Sequence, residues 1–158
     1  MKKILATLIT LLPLQTYAND CVIIGFRGLR EQFDQEAFEG YAKLKDLFPI
    51  VFNHQEVEDA IEVIKDNDCY HLYGFSKGAE SVVKVLRQVY KYNYPSPRHI
   101  LTIGAYYSVN VDFRPYNLLF TNYFDSSGVG QRSPGTHVAG VPHNKMQQYV
   151  LKKESEKK

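Results

Sequence analysis

The chain has 158 residues, a formal net charge of +2 and 44% hydrophobic residues, which predicts one domain with a single core. Two of its lysines lie within the first three residues, so the remaining chain is close to neutral. No basic field therefore indicates a nucleic-acid partner.

The first segment of the chain has the form of a secretory signal peptide. After the lysines comes an apolar run, residues 4–14. Thr16 and Ala18 then supply small residues at the two positions that a signal peptidase recognises before its cleavage site. The run is too short for a permanent membrane anchor, and Pro13 would break a core helix. We therefore expect residues 1–18 to be removed, giving a secreted or periplasmic protein without a stable membrane anchor.

Strand-like and helical patterns then alternate along the chain. The β-branched run Cys21–Ile24, ending at Gly25, is typical of a strand buried on both faces. Helical spacing predicts a helix up to about Leu47, and Pro49 separates it from a second strand, Ile50–Phe52. The next helix has an apolar face made of Val57, Ala60, Ile61 and Ile64.

The second half continues the alternation. The third strand, Cys69–Tyr73, is followed by a glycine-rich turn and the clearest helix of the chain, whose apolar face is Ala79, Val82, Val83, Leu86, Val89 and Tyr90. Further strands are predicted at residues 99–106, 118–124 and 137–141, and a closing helix at residues 144–151. Residues 152–158 carry no apolar side chain and are predicted to be a disordered charged tail.

This order of elements predicts the α/β fold class. We expect residues 19–151 to form a three-layer α/β/α sandwich with a mostly parallel sheet. Cys21 and Cys69, an even pair in an exported protein, indicate a disulfide. If the first and third strands are neighbours, both cysteines stand at the same end of the sheet. Their bridge would close a 48-residue loop, worth about 4 kcal/mol in the chain-entropy description.

The turn after the third strand contains a G-x-S-x-G pentapeptide, Gly74 to Gly78, centred on Ser76. A serine at a tight turn between strand and helix stands clear of the sheet, and flanking glycines leave room for the close passage of both elements. The N-terminus of the helix adds partial positive charge beside a developing oxyanion. The pentapeptide also occurs by chance, as a glycine-rich turn with an exposed serine, but its strand–turn–helix context favours a nucleophile.

With this motif the chain resembles the α/β-hydrolases, and among them the small lidless esterases, lipases and cutinases. The resemblance implies a minimal α/β-hydrolase fold in which Ser76 is followed by an acid and then a histidine. It implies Asp125 as the acid, with Asp112 as the alternative after the preceding strand. It implies His143 as the base, with His137, expected at the opposite end of the sheet, as the alternative.

The reaction that the resemblance implies is acyl transfer. The imidazole would take the proton of Ser76, and the carboxylate would orient the imidazole. The backbone N–H of Lys77 would be one oxyanion donor. The other would be that of Phe26, in the loop after the first strand, or of Arg27. The family's loop histidine is absent from this chain, which leaves the second donor open.

The substrate site is expected to be open and shallow, because only a short stretch separates Tyr106 from Leu118, where relatives insert a cap. Small acyl esters, thioesters or ester-bearing polymers would fit such a site. Arg27, Arg30 and Lys77 either favour an anionic substrate or are solvated surface charges. No Cys/His cluster has metal-ligand spacing, so neither a metal nor another cofactor is expected.

The sequence thus predicts an exported serine hydrolase that cleaves carboxylic esters or thioesters through an acyl-enzyme. A second hypothesis is a non-catalytic α/β-hydrolase-like binding or accessory protein, which the small size and the absent loop histidine favour. A third is an unrelated α/β domain with a coincidental motif. The sequence leaves the oligomeric state open.

Overall fold

A computed structural model describes residues 21–29, 33–105, 120–124 and 135–157. These residues form helices on both faces of a six-stranded sheet. The strands are β1 (Val22–Phe26), β2 (Phe48–Phe52), β3 (Tyr70–Phe75), β4 (His99–Ile103), β5 (Phe120–Phe124) and β6 (Thr136–His137). The helices are α1 (Gln35–Leu44), α2 (Val57–Lys65), α3 (Lys77–Tyr92) and α4 (His143–Ser155).

The sheet confirms the predicted α/β sandwich. Its strand order is β2-β1-β3-β4-β5-β6, and all five described pairs are parallel rather than mostly parallel. The first strand, β1, is second from one edge of the sheet; the chain then moves outward to β2 and returns across β1 to β3. The direction of winding therefore reverses between β1 and β3, which is where a crevice opens at the carboxyl edge of such a sheet.

Side chains of the central strands alternate between two apolar layers. One layer packs against α2 and α3, and the other packs against α1 and α4. Buried residues of the first layer include Ile24, Leu72, Ile100, Ile61, Val82 and Leu86, and those of the second include Ile23, Tyr73, Leu101, Phe38 and Val150. Burial on both faces explains why these strands read as continuous apolar runs in the sequence.

The disulfide is present as predicted. Cys21 and Cys69 are bonded, with their Cα atoms 4.7 Å apart. The reason is the register of the sheet: Val22 lies opposite Tyr70, so the residues that precede them are neighbours at the amino edge. The N–H of Val22 also donates to the carbonyl of Cys69 at 3.1 Å, which fixes the two chain segments beside the bridge.

The predicted end of the folded domain is wrong. Helix α4 continues through residues 152–155, which were expected to belong to a disordered tail. Glu154 is 6% exposed, accepts a hydrogen bond from the Tyr123 hydroxyl and pairs with Lys157 at 2.6 Å. The burial of this carboxylate depends on a tyrosine 31 residues earlier, so the local composition of the segment did not reveal it.

Two further predictions concern residues outside the described part of the chain. The signal peptide, residues 1–18, is one, and the loops that carry Asp112 and Asp125 are the other. Within the described ranges, no helix has both the length and the apolar character needed to cross a membrane.

Candidate active site

Ser76 forms a strained elbow between β3 and α3. It is the residue before the first turn of α3 and has φ 53° and ψ −120°, a region that residues other than glycine rarely occupy. Such a conformation costs about 1–3 kcal/mol and persists only where the surroundings enforce it. Here the N–H of Ser76 donates to the Ile103 carbonyl at 2.8 Å, so the end of β4 holds the turn.

The two glycines of the motif have the role that the sequence predicted. A Cβ on Gly74 would lie 2.7 Å from the Cα of Ala79, in the first turn of α3. A Cβ on Gly78 would overlap the carbonyl oxygen of Phe26, at the end of β1. Helix α3 therefore begins in direct backbone contact with both β3 and β1, and its N-terminus is fixed above the crevice.

Lys77 follows Ser76 directly, and its side chain is not a free cation. It is the first residue of α3, in the turn whose N–H groups precede the regular helical hydrogen bonds, and no side chain in the described part of the chain caps this turn. Its ammonium group pairs with Glu80, whose side chain is only 12% exposed. The positive charge beside Ser76 is thus largely neutralised.

The guanidinium of Arg27 is also engaged by other side chains. Its guanidinium donates to Gln35 at 2.7 Å and lies over the ring of Phe33, 5.9 Å from the centroid. Of the three cations that the sequence linked to an anionic substrate, Lys77 and Arg27 are therefore engaged elsewhere. Arg30 lies outside the described residues.

The backbone hydrogen bonds of β1 limit which N–H group could be the second oxyanion donor. The N–H of Arg27 donates to the Phe52 carbonyl at 3.0 Å, so the Arg27 alternative is wrong. N–H groups of a strand between two parallel neighbours point alternately to each side. Since Val22 donates toward β3 and Arg27 toward β2, the N–H of Phe26 is directed toward β3. This counts against Phe26, which stays a prediction.

His143 stands beside the elbow. It is the first residue of α4, and its imidazole stacks on the ring of Phe75 with centroids 5.2 Å apart and an interplanar angle of 25°. A Cβ on Gly104 would lie 2.6 Å from the imidazole Cε1. Because Phe75 precedes Ser76 and Gly104 follows Ile103, the elbow and the imidazole are built on the same two strand ends.

The alternative base, His137, lies elsewhere. It is exposed and pairs with Phe124, the last residue of β5, so it stands at the carboxyl edge and not at the opposite end that the sequence predicted. The predicted strand 137–141 is also wrong, because β6 ends at His137. Three strand spacings separate β3 from β6, which is roughly 14 Å. His137 is therefore remote from Ser76.

The two candidate acids stay predictions, because Asp125 and Asp112 lie outside the described residues. The strand ends from which their loops depart are nevertheless next to the imidazole. The N–H of Gly104 donates to the Tyr123 carbonyl at 2.8 Å, which joins the end of β4 to that of β5. The ends of β4 and β5 are thus joined beside the imidazole of His143.

The sequence missed two residues of this arrangement, Phe75 and Gly104. Gly104 has φ +59° and directly follows β4, whereas the sequence predicts a strand over residues 99–106 that includes it. A glycine within a strand pattern often marks a close approach of other groups, and that signal was available. Phe75 carried no signal, because an aromatic residue at the end of a buried strand is ordinary core.

The fold and the elbow define an α/β protein with a serine at a strained strand–helix turn. The chain is similar to a RedJ thioesterase structure, from the prodiginine biosynthetic pathway of Streptomyces coelicolor, with a TM-score of 0.56 and 13% identity over 87% of this chain and 85% of that one. A RedJ structure with a PEG molecule bound in the active site gives 0.59 and 11%, over 85% and 90%. No protein-family model matches the chain, and no curated protein matches its sequence. The similarity establishes the shared fold.

Proposed function

We propose that the protein is an exported serine hydrolase that cleaves carboxylic esters or thioesters through an acyl-enzyme on Ser76. The observation that carries the proposal is the elbow: a non-glycine residue at φ 53°, fixed between β3 and α3, with an imidazole next to it. Strain of this kind is retained where a side chain has to be presented at one position.

In the proposed reaction the Ser76 hydroxyl attacks the carbonyl carbon while His143 takes its proton. As the bond from the carbonyl carbon to the leaving oxygen or sulfur breaks, the imidazolium protonates that atom, releasing the alcohol or thiol, and water hydrolyses the acyl-enzyme by the same route. The N–H of Lys77 would hold the oxyanion, and Asp125, or else Asp112, would orient the imidazole. The contacts of His143 with Phe75 and Gly104 support this assignment; its approach to the hydroxyl is part of the proposal.

The substrate class is supported by two features. The fold is shared with a thioesterase, which favours thioesters as well as oxygen esters. The ion pair of Lys77 with Glu80 cancels the charge of the cation next to Ser76, which favours an uncharged acyl group. The disulfide is compatible with the oxidising compartment that export would reach.

A non-catalytic binding protein is the second candidate. It is favoured by the β1 ladder, in which the N–H groups of Phe26 and Arg27 are both turned into the sheet. A site with one oxyanion donor would be a poor catalyst, because removing one donor typically lowers kcat by about 10²–10³.

A fluorophosphonate probe tests the two candidates. The mature protein should be labelled at Ser76, located by mass spectrometry of the adduct. Labelling should disappear in His143→Ala and persist in His137→Ala, the matched control at the same edge of the sheet. A folded protein that stays unlabelled at Ser76 would favour the binding protein.

A further inference from the structure

We propose that Phe75 and Gly104 are positioning residues that form a slot for the imidazole of His143 and fix its plane beside Ser76. This inference rests on the proposed function, since it assigns the slot to the base of that reaction. The slot has two walls, carried by the ends of β3 and β4, and the imidazole enters it from α4.

The first wall is the ring of Phe75. This side chain is 2% exposed and packs in the layer between the sheet and helices α1 and α4. Its orientation is therefore set by the core, and the stacked imidazole takes its plane from it, to within 25°. Ser76 follows directly in the chain, so the nucleophile and this wall move as one unit.

The second wall is the backbone of Gly104. A Cβ there would lie 2.6 Å from Cε1 of the imidazole, 2.9 Å from Nδ1 and 3.7 Å from Nε2. Any residue with a side chain would therefore displace the ring, independently of the strain at φ +59°. Backbone hydrogen bonds of 2.8 Å join Ser76 to Ile103 and Gly104 to Tyr123, which ties this wall to the elbow.

The backbone of His143 is anchored as well. Met146 and Val150, in the following turns of α4, are fully buried. Gln147 accepts from the N–H of Asp34 at 2.8 Å and donates to its carbonyl at 2.9 Å, which fixes the position of α4 against α1. The imidazole is thus restrained from its own helix and on two sides of the ring. A base held in this way needs no further ordering when the substrate binds.

Paired glycine variants test the slot. Gly104 and Gly140 both have positive φ, at 59° and 75°, but a Cβ on Gly140 meets no atom of the described residues within 4 Å. Gly104→Ala and Gly140→Ala therefore share the backbone strain, and only the first contacts the imidazole. We expect similar falls in Tm for both. Labelling by the fluorophosphonate should slow at least about tenfold in Gly104→Ala and change less than about twofold in Gly140→Ala.

A second pair of variants tests the other wall. Phe75→Leu and Phe38→Leu each replace a buried ring of the same layer, and only Phe75 stacks on the imidazole. Proton NMR provides a readout that does not depend on activity. The Cε1–H signal of His143, assigned by its absence from His143→Gln, should shift in Gly104→Ala and Phe75→Leu and stay in place in both controls.

The possible outcomes separate the two proposals. Equal labelling rates in Gly104→Ala and Gly140→Ala, with an unchanged His143 signal, would overturn the slot while leaving the hydrolase in place. An unlabelled wild-type protein would overturn the hydrolase. The NMR comparison would then still show whether Phe75 and Gly104 hold the imidazole, and a signal unaffected by either change would overturn the slot as well.

Discussion

The two edges of the sheet differ in how completely their groups are satisfied. At the amino edge, a disulfide joins β1 to β3, and the tyrosine that begins β3, Tyr70, donates to the Pro95 carbonyl at 2.6 Å. At the carboxyl edge, Ser76 has strained backbone angles and the N-terminus of α3 lacks a side-chain cap. The comparison teaches that one edge carries the covalent link between strands while the other retains backbone strain.

The difference extends to the histidines. His71 and His99 are paired in register near the amino edge, with ring centroids 6.3 Å apart. Burial lowers the pKa of His71 to about 4, and the nearby charges of His99 and Arg98 add to this effect. Burial lowers the pKa of His99 too. These rings are held neutral within the structure, whereas His143 faces the crevice.

The largest expected effect comes from removing the hydroxyl of Ser76 at the carboxyl edge. Ser76→Gly removes the proposed nucleophile and places glycine at φ 53°, so activity should fall by at least about 10³-fold while the free energy of unfolding rises by about 1 kcal/mol. Ser76→Ala should lose the same activity without the gain, because alanine shares the strain. Urea unfolding of both variants measures this, and equal stabilities would contradict the strain.

The disulfide at the amino edge should account for the next largest effect. Cys21→Ala combined with Cys69→Ala is expected to lower the free energy of unfolding by about 2–4 kcal/mol. Probe labelling of Ser76 at low temperature should persist, because the bridge lies at the far edge from the elbow. Addition of a reductant should destabilise the wild-type protein and leave the double variant unchanged.

Acid should destabilise the amino edge. A folded-state pKa of about 4 for His71 means that the unfolded chain binds a proton more readily between its own pKa, near 6.5, and pH 4. Stability should therefore be full above about pH 6.5 and fall as the pH decreases toward 4. Since the ring is partly exposed, we expect a loss of at most about 2 kcal/mol.

His71→Phe tests this expectation. The variant should show a smaller fall in the free energy of urea unfolding between pH 7 and pH 4.5 than the wild type, with the remaining slope due in part to His99. An unchanged slope in the variant would contradict the assignment to His71.

The smallest expected effect compares two tyrosines of β3. Among the described residues, the hydroxyl of Tyr73 is buried without a hydrogen-bond partner, whereas that of Tyr70 donates to the Pro95 carbonyl. Tyr73→Phe should be neutral or stabilising by up to about 1 kcal/mol, and Tyr70→Phe should destabilise by about 1 kcal/mol. Thermal unfolding measures both, and a destabilised Tyr73→Phe would reveal a partner for that hydroxyl.

Much of the fold was predictable because local patterns and the sheet agree. Continuous apolar runs gave the buried strands, and the glycines at positions 74 and 78 indicated the close contact of strand and helix. The neighbouring cysteines followed from the parallel arrangement of β1 and β3. The ends of β6 and α4 were not predictable, because they depend on partners distant in the sequence, such as Tyr123 for Glu154.

The site was predictable only in part. The position of Ser76 follows from a local motif, but the placement of His143 depends on α4 docking against two strand ends. The direction of the Phe26 N–H depends on which strands flank β1, and no local pattern encodes that order. Residue type and chain order therefore identify candidate catalytic groups, but which of their atoms face the crevice depends on the strand order of the sheet.

The disulfide also separates two parts of the chain that would fold at different times. The loop that Cys21 and Cys69 close contains β1, α1, β2 and α2, and with β3 it supplies three adjacent strands of the sheet. Ser76 lies directly after β3, at the end of this cross-linked half, whereas His143 lies in α4, the last helix. Reactivity at Ser76 should therefore appear only after the second half has docked, and a time course of labelling during refolding would follow that late assembly step.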